Sequence, residues 1–552
     1  MRRTAHFWFG SILALAAWTT VGPAVAQDAS LTIAMGNRYR QSPEVLARYP
    51  DVAVRLDTPA LAPGRTSSTS QEELETFILK LARPDAPIVV QTLTTTPQGR
   101  ALPMLYFTRE RLTEPAAIRA TGRPIVWLIG QQHGNEPAGG EAMLALAKAL
   151  AEGELRPLLD KLSVVMIPRA NPDGAAADLR DTSARMDLNR DHATFALPET
   201  RAIHGAVLAL PPDLVIDAHE FSVAQRWIEK FGGLQAVDLM VLDATHPMVP
   251  EGVQTLARVL FQPAIEAAVT ARGLTTFPYH TTSTRRADRT ISMGGNAAGI
   301  ARNAFGLSGA VSFLLETRGV GIGLEGYQRR VATHYLAIKA ALETAAANAE
   351  TLRATVSAAR KGIAARPGPI IVRHTVENEV VNLPLVDAAS GQARSTETLM
   401  ANSKRVTVTA HRSWPDGYVI LPDARGGATE MRLMGASTCV VRIAAEIDAE
   451  MFEVHDRGTA DRRAINPDAA VRAAIRPVRV VIPVGSLFVP TAQAAGARIA
   501  LALEPDSPGS FIALDVLRAP ADHPTVPIVR VLAAGALKLA PSSEADAAVC
   551  GR

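Results

Sequence analysis

Apolar positions follow two rhythms along this chain. Between residues 87 and 315 they gather in short continuous runs, at 87–92, 102–107, 124–129, 162–167, 214–218 and 310–315. Stretches of helical period separate several of them. One helix is expected to start near Thr69 or Ser70, either of which can cap it, with Leu74, Phe77, Ile78 and Leu81 on one face. Another covers 137–151, with Pro137 in the first turn, where a missing N–H costs nothing. Continuous apolar strands alternating with helices predict an α/β fold, a mostly parallel or mixed sheet with helices on both faces. An Ala-rich helical stretch from Tyr327 to Arg360 closes this part, with Gly362 and Pro367-Gly368-Pro369 as stop signals. Beyond it the rhythm changes to short alternating runs at 370–376, 405–410, 440–445, 478–482 and 499–503, which predict strands. The expected organisation is therefore a lead-in over 27–65, an α/β domain over 66–361 and a β-rich C-terminal domain over 369–552. A chain of 552 residues is too long for one ordinary core, which agrees with this division.

The first 26 residues stand apart. Arg2 and Arg3 precede an apolar stretch from Phe7 to Trp18, and Ala24-Val25-Ala26 follows. That is the layout of a cleaved secretory signal; the alternative is an uncleaved membrane anchor, for which the stretch is too short to cross about 30 Å of hydrocarbon comfortably. The expected location is outside the cytoplasm, in a bacterial periplasm or secreted, with no stable membrane insertion after cleavage. Removing the segment takes the 57 cationic residues to 55, against 54 acidic ones. So balanced a chain gives no electrostatic case for nucleic acid or an anionic membrane as partner. Composition, with 47% hydrophobic and 20% charged residues, belongs to the globular class. Two cysteines, Cys439 and Cys550, form either one bridge in an oxidising compartment or two separate buried thiols.

The run at 124–129 leads into Gly130-Gln131-Gln132-His133-Gly134-Asn135-Glu136. His133 and Glu136 thus share a loop at a strand's carboxyl end, where open α/β sheets build their sites. A His-x-x-Glu alone is weak: His374 and Glu377 repeat the spacing inside a strand-like stretch. The first pair has company, because His219 ends the run Leu214-Val215-Ile216-Asp217-Ala218. Two histidines and one carboxylate leave zinc an open position for water, as a catalytic site needs. Between them lie Asn171-Pro172-Asp173-Gly174, Arg180 and Asp187-Leu188-Asn189-Arg190, and Glu316 ends the run at 310–315 ahead of Thr317-Arg318-Gly319. A carboxylate there is a candidate general base.

This order of motifs resembles the zinc carboxypeptidase family over roughly residues 66–350, and Gln98-Gly99-Arg100-Ala101-Leu102-Pro103 resembles its opening strand. The resemblance implies hydrolysis of a peptide (amide) bond next to a free carboxylate, with one zinc ion as cofactor and a peptide, or a peptidoglycan-derived peptide, as substrate. It makes His133, Glu136 and His219 the metal ligands. Glu316 becomes the base that activates water and Arg180 the cation facing the scissile carbonyl. Asn189 and Arg190 become the pair gripping the substrate carboxylate, and Asp187 the carboxylate orienting the first histidine. Chemistry is consistent with each role: a guanidinium fork matches a carboxylate, and a carboxylate on a ligating imidazole fixes its tautomer.

The sequence also departs from the family. A tyrosine usually precedes the catalytic glutamate on a mobile loop, yet Ile291-Ser292-Met293-Gly294-Gly295-Asn296 has none, and the nearest upstream is Tyr279. Thr182 and Arg185 stand where many bacterial relatives have Asn and Gly. Arg285, Arg286, Arg289 and Arg302 form either a pocket for an acidic substrate or a solvated loop. The C-terminal region resembles a tail on larger bacterial relatives, through Pro483-Val484-Gly485-Ser486 and Leu503-Glu504-Pro505. Two other functions compete: an amide deacylase of the desuccinylase and aspartoacylase type, and a non-catalytic peptide- or cell-wall-binding module. The second has no need of Glu316.

Overall fold

In a computed structural model of the protein, residues 39–550 are described apart from 423, 425, 457–470 and 519–524. The expected signal segment, 1–26, lies outside the described residues. The apolar runs between residues 87 and 315 become strands where they were expected, with somewhat different ends. The first ten are β1 (Ile88–Thr95), β2 (Ala101–Phe107), β3 (Ile125–Gly130), β4 (Ser163–Ile167), β5 (Leu214–Ser222), β6 (Leu234–Gln235), β7 (Leu239–Asp243), β8 (Thr276–Pro278), β9 (Ile291–Ser292) and β10 (Val311–Val320). All but β6 and β9 form one eight-stranded sheet in the order β1-β2-β4-β3-β5-β10-β7-β8. Its centre, β4-β3-β5-β10, is parallel, while β2 joins β4 antiparallel and β7 joins β10 antiparallel. The sheet is therefore mixed.

Helices cover both faces. Ser70 caps Gln71–Leu81 through a capping box with Glu73, and that helix buries Leu74, Ile78 and Leu81. Pro137–Glu152 and Tyr327–Ala347 pack with it on one side of the sheet, in a core that includes Leu144, Leu146, Phe313 and Ile338. Trp127, Ile129, Ile203 and Phe305 fill the other side.

The C-terminal part is β-rich. β11 (Ile370–Val386) and β12 (Ala393–Arg412) make a long hairpin, which pairs antiparallel with β6 and parallel with β9. Hydrogen bonds thus cross the linker expected near Pro369. A second, wholly antiparallel sheet combines β13 (Gly417–Ile420), β14 (Cys439–Ile443), β15 (Ala445–Asp456), β16 (Arg472–Ile482), β17 (Leu487–Pro490), β18 (Thr525–Val531) and β19 (Lys538–Pro541). One expected strand is wrong: 499–503 lies in the helix Gly496–Leu503. Every residue of that helix is buried, so it has no polar face to reveal a period of 3.6, and its alanines favour helix.

Cys439 and Cys550 are joined in a disulfide with Cα atoms 5.7 Å apart. The bridge closes a loop across a separation of 111 residues. Replacing both by serine is expected to cost about 2–4 kcal/mol, chiefly by freeing the unfolded chain. Denaturant unfolding of oxidised wild type against the double variant checks this.

Candidate active site

The site lies at the carboxyl ends of three adjacent parallel strands. β5 runs beside β3 on one edge and β10 on the other, with Gly130 opposite Ala218 and Glu316 opposite His219. Register alone thus sets Glu316 beside His219. The period of two places Asp217 and His219 on one face of β5, and Glu220 on the other. Glu136 is the residue just before the helix Pro137–Glu152.

The loop carrying His133 is held by backbone contact. A Cβ on Gly134 would stand 1.9 Å from the Gly174 carbonyl carbon, so only glycine fits. The Gly134 N–H donates to the Arg180 carbonyl at 3.3 Å. Asn171 accepts from the Gly174 N–H at 2.9 Å and donates to the same Arg180 carbonyl at 3.2 Å. Asp173 accepts from Thr96, Arg100 and Ser183. The Asn-Pro-Asp-Gly motif is a brace between the opening strands and the His133 loop.

Among the described residues, one group of potential ligands converges closely enough to hold a metal: His133, Glu136 and His219, with ligand atoms within 4.8 Å of one another. Both histidines turn Nδ1 toward the Glu136 carboxylate, at 2.8 Å each, and the two Nδ1 atoms are 3.0 Å apart. Their other nitrogens meet carboxylates: His133 Nε2 is 3.0 Å from Asp187 and His219 Nε2 is 2.8 Å from Asp217. Those outer carboxylates hold protons on Nε2 and leave both Nδ1 lone pairs facing Glu136. Two lone pairs and an anion at one point fit a small dication.

The same carboxylates attract positive charge to this point, whether a proton or a metal ion. Burial lowers the His219 pKa, but Asp217 and Glu136 overcome it and raise it well above the usual value. Burial opposes ionisation of Glu136, yet the two histidines hold it well below the carboxylate range. For Glu316 burial and the Glu136 charge act together, pushing its pKa up to about 8. Arg180 donates to Asp187 through Nε and Nη2, at 3.2 and 2.8 Å, and its Nη1 lies 3.4 Å from Glu136. Asp187 and Glu136 outweigh burial and raise its pKa, so it stays charged.

Residues 75–196 match the family model described as zinc carboxypeptidase. The chain carries a zinc carboxypeptidase domain. Carboxypeptidase 2 of Trichophyton equinum is 27% identical over 471 residues, which is 82% of this chain and 85% of the relative. A probable carboxypeptidase 2 of Arthroderma benhamiae is 29% identical over 369 residues, covering 64% and 69%. Among solved structures, a metallo-carboxypeptidase from Burkholderia cenocepacia is 20% identical with a TM-score of 0.38, covering 55% of this chain and 82% of that one. Carboxypeptidase A from Helicoverpa armigera is 16% identical, with a TM-score of 0.40 and coverage of 56% and 80%. The protein is a zinc metallocarboxypeptidase-like hydrolase, and its metal is zinc.

A cavity of about 660 Å³ opens onto this cluster, and Glu136, Arg180, Arg190 and Glu316 line it. Asn189 is placed differently from its expected role. It is buried behind His219, where its Nδ2 lies 3.0 Å from His219 Nε2 and 3.4 Å from Asp217, and its Oδ1 accepts from the Ala301 N–H. Arg190 remains at the cavity wall and, among the described residues, donates to the Asn189 carbonyl alone, at 2.8 Å. Tyr279, distant in sequence from Glu316, also lines the cavity, so the fold brings a tyrosine to the site without the 291–296 loop supplying one.

Several neighbours were not evident in the sequence. Asp217 was one; its signal was a charge inside an apolar strand. Gln132 donates to Asp217 at 2.8 Å and meets His192 through Oε1. Glu220 is buried against Arg330, which donates to it at 2.7 Å, and accepts from the Ala138 N–H. His374 is no ligand: it lies 3.2 Å from Asn296 Nδ2 and edge-on to His246. Arg285, Arg286 and Arg289 are exposed, whereas Arg302 is buried.

Proposed function

We propose that the chain hydrolyses the peptide bond next to a free carboxylate, with His133, Glu136 and His219 as zinc ligands and Glu316 as general base. One observation carries the reading: Glu316 stands beside His219 in strand register and faces a cavity that also exposes Arg180 and Arg190. When bound, zinc supplies Lewis acidity, lowering the pKa of a ligated water to about 7 and polarising a carbonyl. Glu316 takes a proton from the attacking water and returns it to the nitrogen of the leaving amine. Nη1 of Arg180, already aimed at the cluster, donates to the carbonyl oxygen as negative charge develops there, a contribution of roughly 3 kcal/mol per donor in comparable sites. Arg190 donates to the substrate's carboxylate. Asp187 and Asp217 hold the two imidazoles, and Asn189, wedged between Asp217 and the Ala301 backbone, positions His219 rather than touching substrate. The apolar N-terminal stretch supports export, in keeping with an oxidised Cys439–Cys550 pair. Among the described residues no helix is long and apolar enough to cross a membrane.

The test compares each peptide with its C-terminal amide. A charge-assisted grip by Arg190 should favour the free acid by about a hundredfold in kcat/KM. Arg190→Ala should remove most of that preference and keep the zinc. If wild type cuts acid and amide equally well, the carboxylate-grip assignment is wrong and an endopeptidase or deacylase takes its place.

A further inference from the structure

The cavity is unevenly charged. On the side of the zinc ligands, each arginine has a carboxylate: Arg180 pairs with Asp187, and Arg330 with Glu220. On the side of Tyr279 the pattern fails. Arg226 lines the cavity, half-buried, and among the described residues donates to neutral oxygens alone: Thr282 O at 2.8 Å, Ser222 Oγ at 3.3 Å and Thr281 Oγ1 at 3.4 Å. Its Nε has no partner among the described residues. Arg302 lies deeper, 3% exposed, with Nη2 donating to the Gly295 carbonyl at 2.7 Å and Nε again unpartnered. Burial lowers the pKa of both, Arg302's to about 10. Tyr279 lies within electrostatic reach of Arg190, Arg226 and Arg302. Its ring is packed against Gly294, where a Cβ would stand 2.8 Å from Tyr279 Cε1 and 3.4 Å from Arg302 Nη2.

Leaving guanidiniums buried without anions is costly, because each loses hydration that no ion pair replaces. Beside an open cavity the cost has a direct explanation, since a bound anion removes it. Arg190 accounts for one carboxylate. Arg226 still has a donor to offer, and no described carboxylate pairs with it.

We propose that Arg226 is a specificity-determining residue, receiving the side-chain carboxylate of an acidic C-terminal residue, aspartate or glutamate, whose α-carboxylate Arg190 holds. Arg302 adds a fixed positive background behind Tyr279. This rests on the free-carboxylate reading above and adds the substrate class to it.

Acyl dipeptides ending in Glu, Gln, Leu and Lys, with their amides, test the proposal on the zinc-loaded protein. Glu and Gln differ little in shape, so their ratio reads charge. Wild type should prefer Glu over Gln by about tenfold or more in kcat/KM, and raised salt should shrink the ratio. Arg226→Met should bring the ratio to within about threefold of unity, and Arg226→Lys should recover part of it. Zinc content of each variant reports whether the site is intact, and the wild-type ratio stands without any variant. If wild type cuts Gln or Leu peptides as well as Glu, or Arg226→Met keeps the wild-type ratio, the subsite is wrong while the carboxypeptidase reading survives. If amides are cut as fast as acids, the free-carboxylate reading falls, and this proposal with it.

Discussion

Glu316→Gln is expected to keep the zinc and lose at least about two orders of magnitude in turnover, the usual scale for removing a general base. Glutamine preserves shape and hydrogen bonding but cannot take a proton. The position suits that role. Glu316 lies within the buried part of β10 in register with His219, is 7% exposed, and faces the cavity. Burial and the neighbouring Glu136 raise its pKa to about 8, toward the range where a carboxylate accepts and releases protons readily. A dication held by the three ligands favours the ionised form and draws that value down. Because the base works only when ionised, wild-type kcat/KM should fall as pH drops through the Glu316 pKa, giving an acid limb below pH 8. Glu316→Gln should remove that limb from whatever rate is left. Steady-state kinetics across pH, with metal analysis of both proteins, check the pair of outcomes. Turnover within a factor of ten of wild type would make Glu316 structural and move the base elsewhere.

What could be read from the sequence followed from local chemistry. His219 and Glu316 each follow an apolar run, His133 and Glu136 lie in the loop between an apolar run and a helix, and strand ends in α/β folds converge on one edge of the sheet. Their convergence needed only the strand order. Residues that act through the register between strands, or through a turn of the chain, were less visible. Asp217 reaches His219 because both lie on one face of β5, and Gln132 reaches Asp217 because β3 is its neighbour. Asn189 belongs to a recognisable motif, yet a short 3₁₀ turn over Leu188–Arg190 sends its side chain inward and leaves Arg190 at the wall. The arginine cluster illustrates the same limit. Of four arginines close in sequence, only Arg302 packs near the site, while Arg226, from the short helix after β5, lines the cavity. The helix Gly496–Leu503 was missed for another reason, because total burial erases the polar face by which a helix is distinguished.

Replacing Glu136 by alanine is expected to have the largest effect, abolishing both zinc and activity. Glu136 joins the cluster together: Oε1 lies 2.8 Å from His133 Nδ1, and Oε2 lies 2.8 Å from His219 Nδ1 and accepts the Glu220 N–H at 3.0 Å. Alanine removes the one anion among the three ligands and leaves two neutral imidazoles, too few for a stable zinc site. Bound metal should fall from about one equivalent to below about a tenth, by the same coupling of ligand set to metal retention that makes chelators effective. Asp187→Asn gives the graded comparison. It keeps all three ligands but weakens the carboxylate behind His133 Nε2, so affinity should fall by about 10- to 100-fold rather than vanish. His374→Ala, far from the cluster, should leave metal content unchanged. Thermal unfolding supplies a readout independent of catalysis. Added zinc raises the stability of any protein that binds it only when folded. Wild type stripped by a chelator should regain Tm on zinc addition, Asp187→Asn should need more zinc for the same gain, and Glu136→Ala should gain nothing. A Glu136→Ala protein that still binds one zinc with wild-type affinity would remove Glu136 from the ligand set and with it the proposed centre.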